Sequence, residues 1–98
     1  MKYRKKPVVI EAEQLTWRNW GRICEFVPKP WFVEGCYLDS EGRETKEPAR
    51  IDSHIGLKMQ TLEGQQFLAQ ENDWIIKGVQ GEFYACKPDI FAATYEVA

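Results

Sequence analysis

The sequence predicts a single α+β domain that is mainly antiparallel sheet or a small barrel. Three observations lead to this fold class. Short runs of β-branched and aromatic residues alternate with turn residues roughly every 8–12 positions. Only two segments have a helical pattern, and a proline marks one end of each. The 98 residues are 44% hydrophobic and 13% aromatic, which suits one soluble domain with a modest core.

The first strand and the first helix are predicted near the N-terminus. A β-branched run indicates a strand over residues 7–15. Residues 17–27 predict a helix, because apolar side chains recur at i, i+3, i+4 and i+7 from Trp20 onwards. Pro28 ends this helix, since proline has no backbone N–H and clashes with the preceding turn.

The middle of the chain predicts two strands separated by a long loop. Residues 31–38 are rich in aromatic and β-branched side chains, as strands are. Residues 39–50 are polar and mixed in charge, and they predict a mobile loop. Residues 54–62 alternate apolar and polar side chains, which indicates a strand with one solvated face. A hairpin turn follows, in which Gly64 supplies a positive φ.

Three further strands are predicted in the C-terminal third, over residues 66–70, 74–79 and 82–86. Gln80 and Gly81 are interpreted as a two-residue hairpin turn. A short helix is predicted over residues 88–93, because proline is favoured at the first helical position. Its apolar side chains are expected to pack on the sheet, and these are Ile90, Phe91 and Ala93.

Charge, cysteine count and motifs exclude several classes of protein. The net charge of −2 gives no field that would attract nucleic acid, so nucleic acid is not an expected partner. No apolar stretch approaches the about 20 residues of a membrane span, and no apolar signal-peptide core follows the basic segment 2–6. We interpret that segment as a solvated tail at a sheet edge, with a phosphate-binding arm as the alternative. With one histidine and no CxxC pair, no metal is expected, and with no glycine-rich phosphate loop, no cofactor is expected either. The odd number of widely spaced cysteines predicts the reducing cytoplasm as the compartment.

His54 is the only histidine, and it is the only candidate for base catalysis that the sequence offers. Asp52 lies two residues before it, so a His–Asp pair is conceivable on one strand face. A nucleophile would still be needed, and the only thiols are Cys24, Cys36 and Cys86. No catalytic residue is assigned on this basis. A small enzyme that uses His54 and a cysteine stays as an alternative hypothesis.

The densest group of candidate ligand-binding residues lies in and after the last predicted hairpin. Lysines hold phosphates or carboxylates, and aromatic side chains stack on flat ligands. If the Gln80–Gly81 turn has two residues, Lys77 and Tyr84 share one face of the hairpin, whereas Trp74 points to the other face and into the core. The predicted ligand-binding residues are Lys77, Tyr84, Lys87 and Asp89.

Both ends of the chain resemble a family of small bacteriophage and prophage proteins. The first element is YRKKPVVIEA at residues 3–12, and the family carries RKKPVxxEAxQ there. The second is NDWIIKGVQGEFYACKPDIF at residues 72–91, followed by TYE; the family carries GDWIIxGVxGEFYPCKPDIFxxTYE. Asn72 replaces the usual glycine, and Ala85 the usual proline. The resemblance implies a phage-derived setting in a bacterial host. It implies no activity and transfers no catalytic residue.

These observations favour a non-enzymatic binding protein over two alternatives. It is expected to act as a counter-defence factor, which either blocks a host protein or sequesters a small phosphorylated, nucleotide-like ligand. A host-protein target predicts an exposed apolar patch, whereas a small ligand predicts a polar pocket with convergent lysine, arginine and tyrosine side chains. The alternatives are a structural or accessory module of the phage particle or replication machinery and the small enzyme. A homo-oligomer formed through sheet edges is also expected.

Overall fold

Two antiparallel sheets and two short helices make up the fold. The computed structural model describes residues 1–3, 9–46, 54–61 and 63–96. Its elements are β1 (Glu11–Gln14), α1 (Trp20–Phe26), β2 (Phe32–Leu38), β3 (Glu44–Thr45), β4 (His54–Gln60), β5 (Gln66–Ala69), β6 (Trp74–Lys77), β7 (Phe83–Cys86) and α2 (Pro88–Thr94). One sheet has the order β1-β6-β7 and the other β3-β2-β4-β5, and every pairing is antiparallel. The α+β, mainly antiparallel prediction is therefore confirmed.

The core lies where α1 and the inner faces of the two sheets meet. Alternation along β4 places Leu57 and Met59 on the inner face, and neither is exposed. Ile23 contributes the buried side of α1, and Ile75 contributes that of β6. Because side chains from both sheets and a helix form one cluster, removing any of them would leave a cavity shared by several elements.

Three hairpins close with the same kind of three-residue turn. In each, the residue before the loop donates its N–H to the carbonyl of the residue after it, and a glycine at the third loop position has a positive φ. The glycines are Gly42 (φ 81°), Gly64 (φ 84°) and Gly81 (φ 83°). A three-residue loop of this kind ends in a left-handed residue, and glycine adopts that conformation without a Cβ penalty. The prediction for Gly64 is confirmed.

The last hairpin corrects the predicted two-residue turn. The backbone N–H of Gly78 donates to the Glu82 carbonyl at 2.7 Å, so the loop contains Val79 as well as Gln80 and Gly81. One extra loop residue moves every cross-strand partner by one position.

The predicted loop over residues 39–50 contains a strand that the sequence analysis missed. Residues 39–43 turn the chain back, and β3 then pairs with the end of β2. Lys58 on β4 forms ion pairs with Glu44 of β3 at 2.8 Å and with Glu34 of β2 at 2.9 Å. Hydrogen bonds to Glu44 and Glu34 raise the pKa of Lys58. Lys58 therefore stays positively charged and holds β3 beside β2 through these two glutamates.

Some predicted features lie partly or wholly outside the described residues. These are residues 4–6 of the basic segment, residues 7–8 of the first predicted strand, residues 47–50 of the predicted mobile loop, Asp52, and Leu62 of the hairpin turn. The mobility of residues 39–50 stays a prediction. Within the described part of the chain, neither helix is long and apolar enough to cross a membrane.

Helix α2 covers the outer face of the three-stranded sheet. It begins at Pro88, as predicted, and Phe91 stacks on Trp74 with ring centroids 4.2 Å apart and planes 7° apart. Tyr95 then contacts Phe91 at a centroid distance of 5.0 Å. The expectation that Ile90 and Ala93 pack on the sheet is wrong, because Ile90 is 55% exposed and Ala93 is exposed as well. The stack, and not a broad apolar helix face, therefore anchors α2.

Candidate binding cleft

The structure separates Lys77 from Tyr84, which were expected to share one face. Lys77 is paired with Phe83, and Ile76 is paired with Tyr84. Directly paired residues of an antiparallel sheet point to the same side, and successive residues alternate. Lys77 therefore lies on the face opposite Tyr84. The cause is the extra residue in the hairpin loop, which the sequence pattern did not reveal.

Lys87 is engaged in an ion pair with a buried carboxylate. Its Nζ atom lies 3.2 Å from both Oδ1 and Oδ2 of Asp73, and it donates to Oε1 of Gln70 at 2.9 Å. Asp73 is only 4% exposed, and its Oδ2 also accepts the backbone N–H of Gln70. Burying a carboxylate is costly unless it is paired and hydrogen-bonded. In this structure Lys87 compensates Asp73.

Tyr84 and Asp89 complete the predicted ligand set, and each has its own surroundings. A hydrogen bond with Tyr95 and burial raise the pKa of Tyr84 to about 12, so its hydroxyl is neutral at physiological pH. Asp89 lies exposed in the first turn of α2, where a carboxylate is favourable to the helix dipole. The strand register separates Lys77 from Tyr84, and the ligand-binding role of the four residues stays a prediction.

His54 forms a pair with Glu71, a partner that the sequence did not suggest. Its Nδ1 atom lies 3.2 Å from Glu71 Oε2, while Glu71 Oε1 accepts the backbone N–H of Ile55 at 3.1 Å. The pair stands at a polar groove of about 270 Å³, which Asp39 and Asn72 also line. Glu71 is therefore held in place from two sides and orients the imidazole.

The cysteines do not complete a nucleophile–base arrangement with His54. Cys24 lies on α1, Cys36 on β2 and Cys86 on β7, and among the described residues no hydrogen bond joins a thiol to the imidazole. Burial raises the pKa of both Cys36 and Cys86, which keeps these thiols protonated at neutral pH. The thiolate is the reactive form, so neither is activated as a nucleophile. Across the described residues, no group of three or more His, Cys, Asp or Glu side chains is placed to hold a metal ion.

A second cavity is lined by aromatic side chains, and we call it the aromatic cleft. It has a volume of about 300 Å³ and lies between the entry to α1 and strand β2. Its lining residues are Trp17, Trp20, Gly35, Cys36, Tyr37 and Ile55. Two of its rings remain open to solvent, because Trp17 is 51% exposed and Tyr37 is 37% exposed. Large aromatic side chains in such a position are the usual anchors of binding sites.

Gly35 allows the cleft to form beside the core. The Trp20 ring lies so close to Gly35 that an added Cβ atom would meet its Cζ2 and Cη2 atoms at 2.5 Å. Alternation along β2 puts Gly35 and Tyr37 on the inner face, opposite Leu57 and Ile55. The Trp20 ring fills the space over Gly35. Tyr37 lies two residues further along β2, and the cleft lies between these two rings and Trp17. Any residue larger than glycine at position 35 would therefore have to displace the Trp20 ring.

The two exposed rings form an open wall and cannot sandwich a ligand. The ring centroids of Trp17 and Tyr37 are 6.0 Å apart, and their planes are tilted by 34°. A flat group between two rings needs a contact distance of about 3.5–4.0 Å on each side, or about 7 Å in total. The cleft can therefore hold one apolar or aromatic group against either ring. Among the described residues, those that line the cleft include no lysine, arginine, aspartate or glutamate.

Sequence reasoning missed this cleft because its residues had other interpretations. Trp17 was placed within a helix that in fact begins at Trp20, and residues 17–19 form a turn instead. Tyr37 was one aromatic residue among several in a predicted strand. A usable signal was present: Gly35 and Tyr37 are two residues apart and must share a strand face. Comparisons with protein-family models, curated proteins and solved structures yield no match. The phage-family resemblance therefore stays a prediction.

Proposed function

We propose that this chain is a non-enzymatic binding protein that takes an aromatic or apolar side chain of a partner protein into its aromatic cleft. The observation that carries the proposal is the pair of exposed rings, Trp17 and Tyr37, at the mouth of a cavity whose described lining residues are aromatic, apolar or small. Exposed aromatic residues next to a cavity are typical of the centres of protein interfaces. A volume of about 300 Å³ is at the small end for a ligand site, which suits one inserted side chain.

A protein partner fits the cleft better than the phosphorylated ligand of the alternative hypothesis. Phosphate binding calls for lysine, arginine or converging backbone N–H groups, and none of the described residues that line the cleft is a lysine or an arginine. The lysines proposed for that role lie elsewhere: Lys77 is exposed on β6, and Lys87 is paired with Asp73. An exposed apolar patch is what a protein target predicts.

The setting of the proposal comes from the family resemblance. A phage-derived protein acts among the proteins of a bacterial host, so we place this one in the bacterial cytoplasm with a host protein as its partner. Blocking that protein, as a counter-defence factor would, requires occupancy of a surface and no chemistry. The thiols of Cys36 and Cys86, which burial keeps protonated, are in keeping with a role that needs no nucleophile.

The proposal is tested by comparing what three versions of the protein capture from bacterial cells. The versions are the wild type, Trp17→Ala and the control Ile90→Ala. Ile90 is 55% exposed on α2, so the control removes a similarly exposed apolar side chain away from the cleft. Truncating an aromatic anchor costs about 2 kcal/mol or more, which weakens binding roughly 30-fold. One host protein should therefore bind the wild type and Ile90→Ala but be lost with Trp17→Ala.

Direct binding of the purified partner then gives the affinity, and thermal unfolding shows that Trp17→Ala remains folded. A captured protein that binds Trp17→Ala and the wild type equally well would contradict the proposal. Native mass spectrometry of the gently purified protein provides a second test. A stoichiometric phosphorylated small molecule carried by the wild type would assign the protein to ligand sequestration.

A further inference from the structure

Among the described residues, strand β5 is a free edge of the four-stranded sheet and lacks the usual protection of such an edge. In the order β3-β2-β4-β5, no strand among the described residues pairs with its outer side. Natural edge strands are commonly shortened or carry charges that prevent further pairing. The opposite edge, β3, has only two residues and includes Glu44, and β1 carries Glu11 and Glu13. Strand β5 is four uncharged residues, Gln66–Ala69, and so is the edge strand β7 of the other sheet, Phe83–Cys86, which provides the control edge.

The hairpin geometry determines which backbone groups of β5 face outward. The N–H of Thr61 donates to the Gln65 carbonyl, so this closing pair is hydrogen-bonded. Hydrogen-bonded pairs recur at every second position of an antiparallel ladder, so Phe67 and Ala69 bond to β4. The N–H and C=O groups of Gln66 and Leu68 therefore point to the free edge.

The row of outward-facing backbone groups ends at Gln70, because both of its backbone groups already have partners. The N–H of Gln70 donates to Asp73 Oδ2 at 3.0 Å, and its carbonyl accepts the N–H of Asp73 at 3.0 Å. The available set is thus two donors and two acceptors, arranged symmetrically around Phe67. A strand that matches this set needs the same spacing in the antiparallel direction, and a second copy of β5 has it.

We propose that β5 pairs with β5 of a second copy of this chain, around a two-fold axis at Phe67. Gln66 is then opposite the partner's Leu68, and Phe67 is opposite the partner's Phe67. This register forms four backbone hydrogen bonds and joins the two four-stranded sheets into one of eight strands. It leaves no unpaired outward group between the two ends of β5.

The side chains of β5 suit the same register. The Phe67 pair occupies a non-hydrogen-bonded position, where opposed side chains are closest and an aromatic pair is favourable. Phe67 is half-buried against the core and has ring surface left to cover. Because the residues of β5 are uncharged, the register brings no like charges together within the paired strands themselves. A two-fold interface is also closed, so pairing stops at the dimer.

Proline substitutions on two edges test the proposal. Proline at position 66 or 68 removes an outward N–H and leaves the bonds between β4 and β5 intact. The matched control is Ala85→Pro on β7, one of the two edge strands of the other sheet. There the closing bond from Gly78 to Glu82 makes the N–H of Ala85 the outward one. Gln66→Pro and Leu68→Pro should be monomers, whereas Ala85→Pro should dimerise like the wild type.

The state of each protein is measured by light scattering and native mass spectrometry, at up to about 1 mM because a small interface is of the weak class. Amide hydrogen exchange of the wild type gives an independent readout. On dimerisation, protection should rise at Gln66 and Leu68 but not at Ala85. A wild type that is monomeric at the highest concentration overturns the proposal. A dimer that survives both β5 substitutions, or that Ala85→Pro abolishes, overturns it as well.

Discussion

Replacing Lys87 by methionine should destabilise the protein even when no ligand is present. The substitution keeps most of the aliphatic side chain but removes the charge that faces the buried Asp73 carboxylate. Hydrogen bonds to charged groups contribute about 1.5–3 kcal/mol each to stability. Lys87 is 52% exposed, so solvent screens part of the interaction, and we expect a loss of about 1.5–2 kcal/mol.

For a chain of 98 residues this loss lowers the melting temperature by roughly 6–16 °C, since 1 kcal/mol corresponds to about 4–8 °C. The assay is thermal unfolding followed by circular dichroism, with Lys77→Met as the matched control. Lys77 is exposed on β6 and has no ion pair with any described residue, so its change should stay within about 0.5 kcal/mol.

The double variant Asp73→Asn/Lys87→Met isolates the pairwise energy, because the two single losses should not add. A melting temperature for Lys87→Met that equals that of Lys77→Met would refute the reasoning. In that case Lys87 would be free to bind a ligand, because its ion pair with Asp73 would contribute nothing to stability.

Two further predictions concern the cleft and the outer face of the three-stranded sheet. Gly35→Ala should displace Trp20 and destabilise the protein by about 1–3 kcal/mol, with a shift of tryptophan fluorescence. Gly21→Ala, which meets no atom within 4 Å, should instead stabilise α1 by about 0.5–1 kcal/mol; equal effects of the two changes would disprove the steric argument. Tyr95→Phe should lower the pKa of Tyr84 from about 12 toward the ordinary 10.0, as followed by phenolate absorbance during a pH titration. Because the folded-state pKa is the higher one, the stabilisation from Tyr84 is complete below about pH 10 and disappears as the pH rises through 12. An unchanged titration would mean that Tyr95 is not the cause.

The C-terminal hairpin shows which structural features the local sequence predicts and which it does not. The strands on both sides of Gln80 and Gly81 were predictable from β-branched and aromatic content, and so was the helix that begins at Pro88. The loop length was not predictable, because a glycine with positive φ fits both a two-residue and a three-residue turn. That single residue decided on which face Lys77 lies.

Ion pairs between residues far apart in the sequence could not be predicted from local patterns, for a different reason. His54 meets Glu71, seventeen positions away, and Lys87 meets Asp73, fourteen positions away. Each pair joins loops or strand ends that only the strand order brings together. A charged residue in a sequence has many candidate partners, and the pattern of hydrophobicity does not rank them.

The sequence by itself determined the fold class, most of the elements and the glycine turn at Gly64, because these depend on backbone preferences and on the period of apolar side chains. Only the tertiary structure decided that Trp17 and Tyr37 form one cleft, that Lys87 compensates a buried carboxylate and that β5 is an open edge. These features arise where segments far apart in the chain pack together. Their free energy depends on burial and on distances between atoms, which local residue patterns do not encode.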